Sequence, residues 1–260
     1  MRRNALFLIL PLFLIYRTVC PQISAFQTAD SPKPFIKIHY LGHSSFIFSF
    51  DNGKTMLIDY GESNAYGLDS PIYGIGSFKP DIVAYTHHDA DHDRGLAFNN
   101  AELVDRRQYS KYGIEIMPVP VTERVKNDNC GYLIRYKGLI ILHAGDCQGL
   151  MTNGADTASI RALTESLSGS PDMVMIPVGW VRNIVPEAAA FAGLFKETRI
   201  IPMHYWSKEE KKDFLSLIAA KEEFKIIPIK NPFYILRKDK PEKGTIIISL
   251  EPGKYEKKKE

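Results

Sequence analysis

The sequence predicts a mixed α/β protein with two sheets held between helices. Early apolar runs alternate in polarity and are joined by tight turns, as in a meander. Later strand-like runs alternate with helical stretches. The chain has 260 residues, 45% of them hydrophobic and 24% charged, which is enough for a sizeable core.

Each element follows from local pattern. Phe35–Tyr40 alternates and predicts a strand. Ser45–Phe50 and Thr55–Asp59 predict two more, with Asp51, Asn52 and Gly53 as the hairpin turn. Ile82–Tyr85 is a short strand introduced by Pro80. Gly113–Val121 is strand-like, and Gly131–Tyr136 and Leu139–His143 form a hairpin around Lys137-Gly138. Asp156–Leu167 has helical spacing, with Ala158, Ile160, Leu163 and Leu167 on one side. Met173–Pro177 is a strand. Pro186–Phe195 is a helix with proline near its start, where the missing N–H costs nothing. Arg199–Met203 is a strand ending at His204, Lys208–Ala220 an amphipathic helix, and Phe224–Ile229 and Thr245–Ser249 late strands.

The N-terminus differs in kind. Arg2 and Arg3 precede an apolar run from Ala5 to Ile15, broken only by Pro11. A bilayer-spanning helix needs about 20 apolar residues, so this run is short. A positive start, a short apolar stretch and small residues beyond it match a secretory signal. Cleavage after Cys20, Ala25 or Ala29 is compatible with that pattern, and an uncleaved anchor is the alternative. Residues 21–34, with Pro21, Pro32 and Pro34, read as linker. The expected organisation is residues 1–29 as signal or anchor, 35–250 as the functional domain and 251–260 as a charged tail. The protein is therefore expected to be exported, periplasmic or extracellular, and to touch a membrane only through an uncleaved N-terminus.

The net charge is +3, and many lysines fall between Lys208 and Lys212 and between Lys238 and Lys259. A solvated helix face and tail account for them, so nucleic acid is not an expected partner and a small-molecule substrate is.

The segment His87-His88-Asp89-Ala90-Asp91-His92 holds three of the seven histidines directly after a predicted strand. Imidazole and carboxylate donors are what divalent transition metals take. If the segment is extended, His87, Asp89 and Asp91 share one side, with His92 turning in and His88 pointing away.

Thr86–His92 resembles the metallo-β-lactamase motif T-H-x-H-x-D-H. Tyr40-Leu41-Gly42-His43-Ser44-Ser45-Phe46 resembles the early G-H-S-x-F element of the branch containing ascorbate-6-phosphate lactonase and related hydrolases. Leu57-Ile58-Asp59 resembles that branch's buried acidic strand end, and His143-Ala144-Gly145-Asp146 its a-G-D element. Pro177-Val178-Gly179, Pro186-Glu187-Ala188-Ala189 and Ile201-Pro202-Met203-His204-Tyr205 resemble its C-terminal half. The resemblance implies a four-layer αβ/βα sandwich and a hydrolase acting on an ester, lactone, amide or phosphodiester. It implies one or two divalent ions, zinc first, with manganese or iron compatible. Asp91, His92 and His204 would hold one metal, Asp146 would bridge, and His87 and Asp89 would belong to the other. Asp91 would also orient water or shuttle its proton, and His43 would lie beside the site.

Two departures qualify it. Asp89 stands where the family usually has histidine, and di-iron flavoproteins of the same fold carry a carboxylate there, so a non-haem redox protein is one alternative. The histidine usual before the Gly131–Ile134 strand is absent from Met117–Glu123, leaving Thr122 or Glu123 for its place. A decayed binding protein is the other alternative. Four further expectations concern the surroundings. His39 packs on a strand face, His143 is buried behind the site, and Trp180 and Arg182 either wall a pocket for an anionic group or fill surface. Cys130 and Cys147, at the open end of a hairpin, either form a disulfide or remain thiols.

Overall fold

The computed structural model describes residues 33–69, 71–121, 129–147, 161–162, 165, 170–179, 184–239 and 244–255. Among the described residues, fourteen strands form two mixed sheets. The first contains β1 (Phe35–Gly42), β2 (Ser45–Phe50), β3 (Thr55–Ile58), β4 (Ile82–Tyr85), β5 (Glu102–Asp105) and β13 (Phe233–Arg237), in the order β13-β1-β2-β3-β4-β5. The second contains β6 (Tyr109–Lys111), β7 (Ile114–Pro120), β8 (Cys130–Tyr136), β9 (Leu139–His143), β10 (Met173–Pro177), β11 (Arg199–Met203), β12 (Phe224–Ile229) and β14 (Thr245–Leu250). Its order is β12-β14-β11-β10-β9-β8-β7-β6.

The meander expected early is the antiparallel β1-β2-β3 run, and β6 to β9 is a second one. From β9 onward the pairs in the second sheet are parallel, which requires crossovers. Two described helices serve there: α1 (Ile184–Ala192) and α2 (Lys208–Ala219). The α/β sandwich that the sequence predicts is the observed architecture.

Alternation within the first sheet explains its position. Ile36, Ile38, Tyr40, Phe46, Phe48, Met56, Ile58, Ile82 and Ala84 face a core shared with Ile114, Ile116, Tyr132, Ile134 and Ile141 of the second sheet. The intervening Leu41, Ile47, Leu57, Val83 and Tyr85 face a smaller core closed by Tyr60, Ile72 and Ile75. Both faces are therefore buried. Among the described residues, the cover over the outer face is a run of turns and one 3-10 turn (Ala65–Gly67) rather than an α-helix.

Several expectations need adjustment. Strands β5, β6 and β13 were not evident in the sequence. Glu102–Asp105 and Tyr109–Lys111 mix charge with little alternation, and all three sit at or next to sheet edges, where pairing rather than apolar burial defines them. Helix α1 begins two residues before Pro186 and stops at Ala192. The helix expected over 156–167 lies mostly outside the described residues, although Arg161, Ala162 and Glu165 are helical. Residues 251–255 of the expected charged tail are described, and they contact the domain. Gly253 N donates to Tyr40 O (3.1 Å), His39 Nε2 meets Gly253 O (2.8 Å), and the Tyr255 ring packs on His39 and Phe78. That tyrosine is partly buried against the smaller core. The predicted signal or anchor over 1–29 lies outside the described residues.

Candidate metal centre

The centre forms where strand ends of both sheets meet. The segment after β4 is not extended. His92 N and Asp93 N both donate to Asp89 O (2.8 and 2.7 Å), so the backbone turns tightly over these residues. That turn carries Asp91 and His92 inward together and leaves Asp89 at the rim, its Oδ2 3.9 Å from His87 Nε2. The shared side predicted for His87, Asp89 and Asp91 is corrected accordingly. Gly61 makes room for the turn: a Cβ there would lie 1.9 Å from Asp91 O.

His43 comes from the β1–β2 turn. Gly42, at φ +121°, lets that turn press on residue 71, where a Cβ would meet Pro71 O at 2.1 Å. His204 follows β11. Its N–H donates to His43 O (3.0 Å), which ties the two sheets together at the site, and its carbonyl accepts from Gly179 N (3.0 Å) after the neighbouring β10. Tyr40 Oη also donates to His43 O (3.0 Å). Beyond His204 the chain is pinned by a capping box at the start of α2. Ser207 Oγ accepts from Glu210 N (3.3 Å), and Glu210 Oε2 accepts from Ser207 N (3.2 Å) and Trp206 N (2.6 Å). His43, Asp59 and His204 all hold left-handed φ values of 48–52°. Such strain on non-glycine residues persists where the surroundings over-determine it.

Two donor groups result. His43, Asp91, His92 and His204 form one, and His87, His92 and Asp146 the other, with His92 common to both. All six residues are buried. His204 Nε2 lies 2.6 Å and His92 Nε2 3.1 Å from Asp146 Oδ1. His92 Nε2 is 3.6 Å and His204 Nε2 3.9 Å from Asp91 Oδ2, and His87 Nε2 is 3.8 Å from Asp146 Oδ2. Among the described residues, His92 Nε2, His204 Nε2 and Asp146 Oδ1 nevertheless lack hydrogen-bond partners of acceptable geometry. Buried atoms this close that do not hydrogen-bond each other are aimed at a common point. Nitrogen and carboxylate donors so arranged fit a divalent cation.

A supporting layer sets the histidine tautomer. His92 Nδ1 faces Asp59 Oδ2 (3.0 Å) and Thr86 Oγ1 (3.2 Å). Asp59 also accepts from Thr86 N (2.7 Å) and Thr86 Oγ1 (2.8 Å). With its own proton committed to Asp59, Thr86 Oγ1 can only accept from His92. The His92 proton therefore sits on Nδ1, and Nε2 points its lone pair into the centre. Ser45 Oγ donates to Asp59 O.

Electrostatics agree with a shared cation. Burial opposes charge on His92 and His204, yet without a metal Asp146 beside both raises their pKa values, so the site favours positive charge, and a divalent cation would displace the Nε2 protons to reach the lone pairs. Burial, and secondarily His92, lowers His87. Burial, then His204, brings His43 down to about 3, so it is neutral and its Nε2–H donates to Asp91 Oδ2 (3.0 Å). Asp91 stays ionised: burial opposes this, but His92 and the His43 hydrogen bond hold it below the usual carboxylate range.

The structure thus brings together His43, His87, Asp91, His92, Asp146 and His204, and leaves Asp89 outside both groups. His88 turns away as expected, its Nδ1 2.8 Å from Asp93 and its Nε2 3.2 Å from Asp105. His39 is buried on its strand, and His143 reaches Ser44 O (3.1 Å). Cys130 and Cys147 are buried thiols, so the disulfide alternative does not hold. Their environment is apolar core, and burial pushes the Cys130 thiol up to about 12. Thr122, Glu123, Trp180 and Arg182 lie outside the described residues. Two polar groups escaped the sequence reading. Thr86 was visible only as the first letter of the motif, and Asn129 carried no signal.

The family model of the beta-lactamase superfamily domain matches residues 37–204. A UPF0173 metal-dependent hydrolase of Thermococcus kodakarensis is 26% identical over 230 residues, covering 74% of this chain and 96% of its own. Another, from Methanosphaera stadtmanae, is 26% identical over 255 residues, covering 84% and 97%. The crystal structure of a metallo-beta-lactamase superfamily protein from Thermotoga maritima aligns with a TM-score of 0.55 at 26% identity, covering 83% of this chain and all of that one.

Proposed function

The chain belongs to the beta-lactamase superfamily, and from that premise we propose that it is an exported metal-dependent hydrolase. The observation that carries the proposal is the convergence of His92 Nε2, His204 Nε2 and Asp146 Oδ1, all buried and none hydrogen-bonded among the described residues. His87 and Asp91 complete the donor set, and His43 stands behind Asp91. The relatives are metal-dependent hydrolases by name, and mixed imidazole and carboxylate donors suit zinc first, with manganese or iron compatible.

A divalent cation bound here supplies Lewis acidity and makes water nucleophilic at neutral pH. The chain's own contribution is orientation and proton handling. Asp91, ionised and fixed by His43 at Oδ2, orients water or passes its proton on. His43 keeps that oxygen facing inward and gives Asp91 no competing positive charge. The Asp59–His92 contact fixes the His92 ring. The ester, lactone, amide or phosphodiester substrate class follows from the same chemistry.

Export rests on Arg2, Arg3 and the apolar run Ala5–Ile15. No helix among the described residues is long and apolar enough to cross a membrane. Metal analysis of the purified protein, followed by a hydrolase panel with and without chelator, tests the reading. Stoichiometric metal and chelator-sensitive turnover are expected. Metal-free protein with no turnover after zinc or manganese addition overturns it.

A further inference from the structure

Asn129 directly precedes β8 and is 5% exposed, yet among the described residues both ends of its carboxamide, Oδ1 and Nδ2, lack a hydrogen-bond partner. An amide left unmatched in this way is costly, and native structures keep one where a ligand or water completes it. The location is specific. Cys130 N donates to Thr86 O (3.1 Å), which fixes Asn129 beside the strand end that carries His87. On its other side is Gly145, the residue before Asp146. A Cβ on Gly145 would lie 3.2 Å from Asn129 Oδ1, 3.3 Å from Thr86 Cβ and 2.6 Å from Cys130 O. Gly145 takes φ +58°, and its backbone packs against the carboxamide with no room for a side chain between them. The orphaned amide therefore sits in the wall that supports His87 and Asp146.

We propose that Asn129 is a positioning residue whose carboxamide hydrogen-bonds an oxygen atom, of water or of substrate, at the half of the centre formed by His87, His92 and Asp146. This rests on the metal-centre reading above. The expected donor from Met117–Glu123 is missing from the sequence. Asn129, directly before β8, provides a polar side chain in the same neighbourhood. An amide can donate to a substrate oxygen or accept from a water proton, and it adds no charge to a site already holding Asp91 and Asp146.

The test uses the full chain with Asn129→Leu, close in shape and apolar, and Asn129→Ala as a second variant. Thermal melts of metal-stripped protein come first. If the amide is kept for a ligand, Leu relieves an unmatched polar group and the stripped protein melts about 3–6 °C higher. Titrations with zinc and with manganese come next. If the bound oxygen is water, both variants lose about tenfold in metal affinity. If it is substrate oxygen, metal affinity is unchanged and KM rises at least tenfold. A melt lowered in the stripped Leu variant overturns the proposal, since it means the amide only supports packing. So do wild-type metal affinity and KM in both variants. Wild-type protein that takes up neither metal removes the centre itself, and the proposal with it, whereas normal wild-type uptake with unaltered variants removes the Asn129 role alone.

Discussion

Replacing Asp59 with asparagine removes one charge and turns one acceptor into a donor at a fully buried position. The carboxylate receives Thr86 N at 2.7 Å and Thr86 Oγ1 at 2.8 Å, and faces His92 Nδ1 at 3.0 Å. Asparagine keeps one oxygen. Its NH2 must confront either the Thr86 N–H or the Thr86 and His92 side chains, leaving one donor unmatched. That costs about 1–3 kcal/mol, and the surviving bonds drop from charge-assisted strength of about 1.5–3 to about 0.5–1.5 kcal/mol. A loss of about 3 kcal/mol follows, or about 6–12 °C in Tm for a domain of this size. Without the carboxylate behind Nδ1, His92 is also a poorer ligand, and metal affinity falls about 10–100-fold. Calorimetry of metal-stripped protein reads the first effect, and zinc competition against a chromophoric chelator reads the second. An Asp59→Asn protein that melts with wild type and binds zinc within twofold of it would refute the account of the supporting layer.

Gly61→Ala places a Cβ 1.9 Å from Asp91 O and 2.0 Å from Asp91 C, both backbone, so the Asp89–His92 turn must move; zinc affinity should fall by at least tenfold in the same competition assay. His43→Gln withdraws the group that orients Asp91 Oδ2, and kcat on the best panel substrate should drop about 10²–10⁴-fold. Asp81 accepts from Lys54 Nζ (2.8 Å), Thr55 N (2.9 Å) and Thr55 Oγ1 (2.9 Å). Burial pushes its pKa up, but these contacts prevail and hold it below the ordinary value. Its contribution is therefore full above the unfolded pKa of about 4 and is lost as pH falls through the folded value. Asp81→Asn should cost about 1–2 kcal/mol at pH 7 and flatten that acid limb in denaturant titrations. Stripping the metal should lower Tm, and zinc at a hundredfold its Kd should restore about 2.7 kcal/mol; a Tm indifferent to zinc would contradict the centre.

The strands around the site were legible in the sequence. Ile82–Tyr85, Leu139–His143, Met173–Pro177 and Arg199–Met203 were legible to the residue, because buried central strands carry unbroken apolar or alternating runs. So were the donor types, since histidines and aspartates crowded at strand ends leave few other uses. Tertiary structure alone decided which donors meet. The tight turn at Asp89 rather than an extended segment turned Asp91 inward and Asp89 outward. Backbone bonds from His204 to His43 and from Gly179 to His204 joined residues up to 161 positions apart. The orphaned amide of Asn129 emerged only once β8 lay beside Thr86 and Gly145. Local pattern reports which residues are buried. Convergence of side chains depends on distances between segments remote in sequence, which local periodicity does not encode.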